Sequence, residues 1–141
     1  MNALLPLLLV ALFAVQPSAS AFAEAAWPMP DPASSQPTRL GRYRISYAPT
    51  LQPIEINRIH AWIAQVTDAQ GNPVEGATLG ITGGMPVHAH GLPTAPRATA
   101  YLGEGRYLIE GMKFHMGGAW EVVLKVKSGA GDDALSIPLD L

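Results

Sequence analysis

Cysteine is absent from this chain of 141 residues, which excludes disulfide bonds and metal sites built on thiolates. Charge is also scarce, with 9 basic and 11 acidic side chains and a formal net charge of −2. Such a balance lacks the basic stripe that nucleic-acid binding requires, and it does not favour an anionic membrane surface. Stability must therefore come from an apolar core, and function from a small number of polar or sulfur-bearing side chains.

One long apolar run is present, at residues 4–15, and it is interrupted only by Pro6. It is short for a membrane span and is followed by Gln16, Pro17 and a small-x-small motif at 21–23. We therefore expect residues 1–23 to be a cleavable signal peptide, which places the mature protein in the periplasm or otherwise outside the cytoplasm. An uncleaved membrane anchor is the alternative.

The rest of the chain divides into a leader and one domain. Residues 24–41 are rich in Pro, Ala and Ser, with prolines at 28, 30, 32 and 37, so we expect a disordered leader rather than an edge strand. Residues 42–141 are enough for a single core. The chain shows no convincing amphipathic helix beyond the signal.

Short alternating segments, separated by turn residues, predict about seven β-strands in this domain. The cleanest alternation is at 120–127, where Trp120, Val122 and Leu124 share one face and Glu121 and Lys125 take the other. The segment 56–66 is apolar on both faces. The spacing predicts an immunoglobulin-like β-sandwich, with a compact barrel as the competing architecture.

Histidine and methionine are concentrated in two short segments, 85–90 and 112–116. Together these contain three of the four histidines and three of the five methionines. Imidazole and thioether donors favour copper, especially Cu(I), over hard cations. In an extended backbone His88 and His90 would share one face and form half of a metal site. Met85 would complete that half-site or anchor the loop in the core.

The second segment contributes His115 and Met116 as candidate ligands. Met112, Phe114 and Met116 share strand parity, which is also typical of a core-facing stripe, and His115 would then point away from it. A bulge or turn at Gly117 and Gly118 would redirect one of the two candidates. The remaining histidine, His60, lies in the most apolar segment, where a hydrogen-bonded core residue is expected.

Enzymatic functions find little support in the sequence. A zinc hydrolase needs three protein ligands and a carboxylate base, and the carboxylates near the second segment, Glu104 and Glu110, have no diagnostic spacing. No serine lies in a nucleophile elbow, and Gly83 and Gly84 lack the residues of a phosphate-binding loop. We therefore expect a protein without catalytic activity.

Four motifs resemble the YtkA-like domain family, small exported proteins sometimes labelled auxin-binding. They are GNPVEGA at 71–77, GMPVHAHGLPTAP at 84–96, GEGRY at 103–107 and GMKFHMGGAWE at 111–121. The resemblance covers about residues 42 to 127. It implies an immunoglobulin-like β fold outside the cytoplasm and an association with copper or other heavy-metal handling.

Together these observations predict an exported, monomeric protein that binds one copper ion, as Cu(I), through His88, His90, Met85, His115 and Met116. Its role would be delivery, storage or detoxification, with a membrane or periplasmic copper-handling protein as partner. The alternative is a non-enzymatic interaction domain in which the loop at 83–96 assists a membrane oxidase or a metal efflux complex.

Overall fold

The computed structural model describes residues 26–141, and the expected signal peptide lies outside them. Nine strands account for most of the described chain, and its one helical element is a single 3₁₀ turn at Pro32–Ser34. No helix within this part of the chain is long and apolar enough to cross a membrane. The strands are β1 (Gln36–Pro37), β2 (Tyr43–Pro49), β3 (His60–Asp68), β4 (Thr78–Met85), β5 (His90–Gly91), β6 (Arg97–Gly103), β7 (Arg106–Met112), β8 (Ala119–Ser128) and β9 (Gly131–Asp140).

The strands form two antiparallel sheets that pack face to face. The first has the order β1-β2-β3-β7-β6 and the second the order β5-β4-β8-β9. This arrangement confirms the predicted sandwich over the barrel. The seven longer strands are those the sequence predicts, although β3 begins at His60 rather than at residue 56.

The alternation of β8 is reproduced in its burial. Trp120, Val122, Leu124 and Val126 face the core, whereas Glu121 and Lys125 are exposed. Across the sandwich they meet side chains such as Trp62 and Ile109, which are fully buried in the same cluster. The core therefore runs the length of the sandwich and ends at the residues that surround the histidines.

β3 is covered on both faces over most of its length, as the apolar residues at both odd and even positions of this segment predict. On the outer face of the first sheet, Ala61, Ile63 and Leu108 form a second small cluster. Trp27, from the segment expected to be a leader, packs against this cluster. The N-terminal segment thus removes apolar surface from water that a bare sheet would expose.

The expectation of a leader without fixed structure up to residue 41 is corrected from about residue 27 onward. Gln36 pairs with Ile45 in the sheet, and Thr38 is buried. The Thr38 hydroxyl lies 2.6 Å from a carboxylate oxygen of Asp133 in β9. Pro37 lies in β1, at the edge of the first sheet, where a missing backbone N–H need not remove a ladder hydrogen bond, so its proline did not exclude a strand there.

Candidate metal site

Two connecting segments meet at one end of the sandwich and bring the two His/Met segments together. The β4–β5 hairpin carries Met85, His88 and His90, and the segment between β7 and β8 carries His115 and Met116. The imidazole centroids of His90 and His115 lie 4.8 Å apart, with the ring planes tilted by 48°. The long-range contact that the sequence leaves open is therefore present.

The β4–β5 hairpin is a four-residue loop held by two hydrogen bonds. The backbone N–H groups of His88 and Ala89 each donate to the carbonyl of Met85, at 3.0 Å. Pro86 occupies the second position of this turn, which its fixed φ suits, and Ala89 takes a left-handed φ of 55°. The hairpin leads directly into the pair Met85 and His90, which are opposite neighbours in the β4–β5 ladder.

His88 and His90 are adjacent for a different reason from the one expected. His88 belongs to the turn and His90 to β5, so strand alternation does not place them on one face. Their centroids are 5.8 Å apart and the rings are nearly parallel, at 13°. His88 is exposed, whereas His90 is half-buried.

The β7–β8 connection separates Met116 from the core stripe. β7 ends at Met112, and Met112 and Phe114 are fully buried as the stripe predicts. The chain then leaves the extended conformation, Gly118 adopts a φ of 115°, and the Met116 side chain is 39% exposed. The turn at Gly117 and Gly118 thus lets the Met116 side chain face solvent instead of the core. His115 lies beside His90.

Trp120 forms the inner wall of the site. Its indole is 2% exposed and packs edge-on against His90, at 5.8 Å between centroids, and against His115, at 5.5 Å. The indole N–H donates to the carbonyl of Met116, at 3.0 Å, which ties the loop to the wall. The sequence identifies Trp120 as a packing residue but gives no sign of this second role, because the wall depends on contacts between distant segments.

Met85 lies in the core directly behind the histidines. Its side chain is 3% exposed, and its terminal methyl would be 3.1 Å from a Cβ placed on Gly118. The C-terminal residue Leu141 also fastens this region, since its N–H donates to the Gly118 carbonyl at 3.1 Å. The end of the Met85 side chain therefore lies against Gly118 in the β7–β8 connection.

The polar atoms of the site are incompletely paired. Within residues 26–141, the side-chain nitrogen and oxygen atoms that are buried without a hydrogen-bond partner are Nδ1 of His90 and Nδ1 of His115. Leaving a buried polar group unpaired costs about 1–3 kcal/mol, and such groups in a native fold call for an explanation. Both atoms belong to adjacent rings at this end of the sandwich, so neither nitrogen is committed to a hydrogen bond within the described residues.

His60 provides the contrast, because both of its ring nitrogens are paired. Nε2 accepts from the Trp62 indole N–H at 3.1 Å, so Nδ1 carries the proton and faces the Arg58 carbonyl at 3.2 Å. Burial lowers the pKa of His60, and the hydrogen bond to Arg58 only partly opposes that effect. The expectation of a hydrogen-bonded core histidine agrees with this geometry.

The two carboxylates considered in the sequence analysis, Glu104 and Glu110, do not join the histidine cluster. Glu104 lies in the β6–β7 turn, at the opposite end of the sandwich, and Glu110 accepts from the Thr99 hydroxyl at 2.6 Å. No group of three His, Cys, Asp or Glu side chains in the described range is placed to hold a metal ion. Any ion at this end would depend on imidazole and thioether donors together.

The fold and the site define a class: an immunoglobulin-like β-sandwich with a histidine pair and methionines at one end of its core. A family model described as YtkA-like matches residues 41–125, and the chain belongs to this family. No curated protein and no solved structure matches the chain.

Proposed function

We propose that this protein binds one soft metal ion, Cu(I), between His90 and His115, with thioether sulfur from Met85 or Met116 completing the site. The observation that carries the proposal is the pair of buried, unpartnered Nδ1 atoms on rings 4.8 Å apart. The residues present fit such an ion, because neutral nitrogen and sulfur donors are the ligands that Cu(I) prefers. The ion is cargo, and the protein supplies its donors and the packing around them.

Ring spacing supports a shared ion. A histidine nitrogen binds a metal at about 2.0–2.1 Å, so two rings on one ion have centroids roughly 5 to 6 Å apart at ordinary coordination angles. The His90–His115 spacing, 4.8 Å, lies slightly below this range. The tilt of 48° between the rings lets their planes cross, so that a single point can lie in both.

The donor set favours a soft monovalent ion over zinc. Structural zinc sites take four Cys or His ligands, and catalytic zinc sites take three protein ligands plus water. Among residues 26–141, no three His, Cys, Asp or Glu side chains are close enough together to bind one ion. Imidazole and thioether ligands are uncharged, so they do not neutralise the charge of a bound ion. The uncompensated charge is larger for a divalent ion than for a monovalent one, which favours the monovalent ion.

The role we propose is delivery, storage or detoxification of copper outside the cytoplasm, without covalent chemistry. The protein would be exported by the signal at residues 1–23 and act as a monomer. Its partner would be a membrane or periplasmic protein that handles the same ion.

A second candidate function is an interaction domain that does not bind metal. Large apolar side chains are exposed on the loops at the histidine end, including Val87, at 83%, and Ile59, at 68%. The backbone N–H of Asn57, in the same loop as Ile59, donates to the Phe114 carbonyl at 2.7 Å, so this loop borders the β7–β8 connection. Apolar loop tips on a sandwich are suited to contact with another protein, such as a membrane oxidase or an efflux component.

The test is a competition titration of the purified protein with Cu(I) against bicinchoninate, a chelator that changes colour when it loses the ion. We expect binding of one ion per chain. The double variant His90→Ala/His115→Ala should lose at least about 100-fold in affinity, because both nitrogen donors are removed. Val87→Ala, an exposed change on the same hairpin, is the matched control and should bind as the parent does.

A parent protein that cannot compete with bicinchoninate would end the metal proposal and favour the interaction domain. Equal affinity of the parent and the double variant would place any copper elsewhere. Thermal unfolding of each variant, without metal, separates a loss of ligands from a loss of fold.

A further inference from the structure

His88 differs from the other two histidines at this end in its surroundings. It lies in the turn of the β4–β5 hairpin between Val87, which is almost fully exposed, and Ala89, whose φ is left-handed. His88 is itself exposed, and its ring is not among the buried side chains that lack a partner. His88 therefore differs from His90 and His115, each of which has a buried ring nitrogen without a hydrogen-bond partner.

The ring geometry separates His88 from the buried pair in a second way. A metal ion bound by an imidazole lies close to the ring plane, along the nitrogen lone pair. The His90 and His115 planes cross, but the His88 ring is stacked on His90 at 13°. His88 thus lies farther from His90 than His115 does, at 5.8 Å against 4.8 Å between centroids, and its ring plane is nearly parallel to that of His90.

Buried and exposed side chains both lie next to the His90–His115 pair. The Trp120 indole and the Met85 side chain close the inner side, since both are almost completely buried. On the outer side, His88 and Met116 are the exposed soft donors. The His88 imidazole, whose centroid lies 5.8 Å from that of His90, is therefore an exposed nitrogen donor beside the pair.

We propose that His88 is an exchange ligand: it takes a soft monovalent ion from an external donor, passes it to His90 and His115, and receives it again on release. This inference rests on the proposed function and assigns His88 to the rate of exchange rather than to affinity. A hairpin turn is suited to this role because its exposed side chain can change rotamer without disturbing the core. The partner would present thioether, imidazole or thiolate donors of its own.

The test compares exchange rate with affinity in His88→Ala. Cu(I)-loaded protein is mixed with excess bicinchoninate in a stopped-flow instrument, and the coloured complex is followed. We expect His88→Ala to release copper at least about tenfold more slowly, which corresponds to about 1.4 kcal/mol of added barrier. Its equilibrium affinity should stay within about threefold of the parent, or under 1 kcal/mol.

A second variant distinguishes ligand chemistry from loop shape. His88→Met keeps a soft donor and should restore much of the rate, whereas His88→Gln keeps a polar side chain of similar size and should remain slow. Unchanged release in His88→Ala would overturn the inference. A loss of affinity comparable to that of His90→Ala would also overturn it, because His88 would then be an equilibrium ligand. The binding titration described above does not involve His88, so failure of the proposed function is recognised separately.

Discussion

At the scale of single residues, the histidines show how much surroundings decide the chemistry of one side chain. His60 was predictable as a core residue because apolar neighbours fill both faces of its strand, and a lone imidazole there must find internal partners. The distinction between His88 and His90 was not predictable from their spacing. Residues i and i+2 point to the same face only when both lie in a regular strand. Here a turn intervenes, and burial separates the two.

His60 should make the fold sensitive to mild acid. Its folded pKa is lowered by burial, so the unfolded chain takes up a proton more readily, and the stabilisation present above about pH 6.5 is lost as pH falls. His60→Gln keeps an acceptor for the Trp62 indole but does not titrate. We expect the free energy of unfolding to fall more between about pH 7.5 and 5 in the parent than in the variant.

Denaturant unfolding at the two pH values measures this difference. The other three histidines are present in both proteins, so the comparison isolates the replacement of His60. Identical pH dependence of the two proteins would show that His60 does not require its neutral form for folding.

At the scale of elements, alternation and turn chemistry were enough to place the seven longer strands. The β6–β7 turn is typical, since Gly103, Glu104 and Gly105 all take positive φ, as its glycines predict. β1 and β5 could not be predicted, because a strand of two residues has no alternation to detect. β5 matters most for the site, since its pairing with β4 positions His90.

The β4–β5 pairing depends on the absence of a side chain at Gly84. A Cβ there would lie 2.7 Å from the His90 carbonyl, whereas a Cβ at Gly80, on the same face of β4, would meet only Lys125 Cβ at an ordinary 3.6 Å. We expect Gly84→Ala to push β5 away and to weaken Cu(I) binding at least about tenfold, through displacement of His90. Gly80→Ala should leave affinity unchanged.

The bicinchoninate titration reads both variants, and far-ultraviolet circular dichroism checks that each keeps its sheet content. Parent-like affinity in Gly84→Ala would mean that β5 can shift without moving the His90 nitrogen, which would weaken the link between this hairpin and the site.

At the scale of the whole molecule, one buried carboxylate joins the N-terminal segment to the last strand. Asp133 accepts hydrogen bonds from the Thr38 hydroxyl and from the backbone N–H groups of Leu40, Arg42 and Ala134. Burial raises its pKa, but these hydrogen bonds outweigh that effect and bring the pKa to about 2. The sequence could not reveal this link, because about 95 residues separate Thr38 from Asp133.

Asp133 should therefore raise the free energy of unfolding more above pH 4 than below it. Its folded pKa lies below the ordinary value of about 3.9, so its contribution is complete above pH 4 and is lost as pH falls toward 2. Asp133→Asn should lower the thermal unfolding temperature at neutral pH, and the difference from the parent should shrink between about pH 4 and 2.

Asp132→Asn is the matched control. That neighbouring carboxylate is mostly exposed and lies 3.5 Å from the Lys127 ammonium, a surface pair that contributes little to stability. Its removal should change the unfolding temperature only slightly at any pH. A parent-like unfolding temperature of Asp133→Asn at neutral pH would contradict the role given to the buried carboxylate.

The central claim, that the two unpaired imidazole nitrogens bind a soft ion, is tested most directly by nuclear magnetic resonance of the ¹⁵N-labelled imidazoles. Silver(I), a diamagnetic substitute for Cu(I), is added to one equivalent. We expect Nδ1 of His90 and Nδ1 of His115 to shift together, while both nitrogens of His60 keep their frequencies. Unchanged Nδ1 resonances of His90 and His115 in the presence of silver would contradict it.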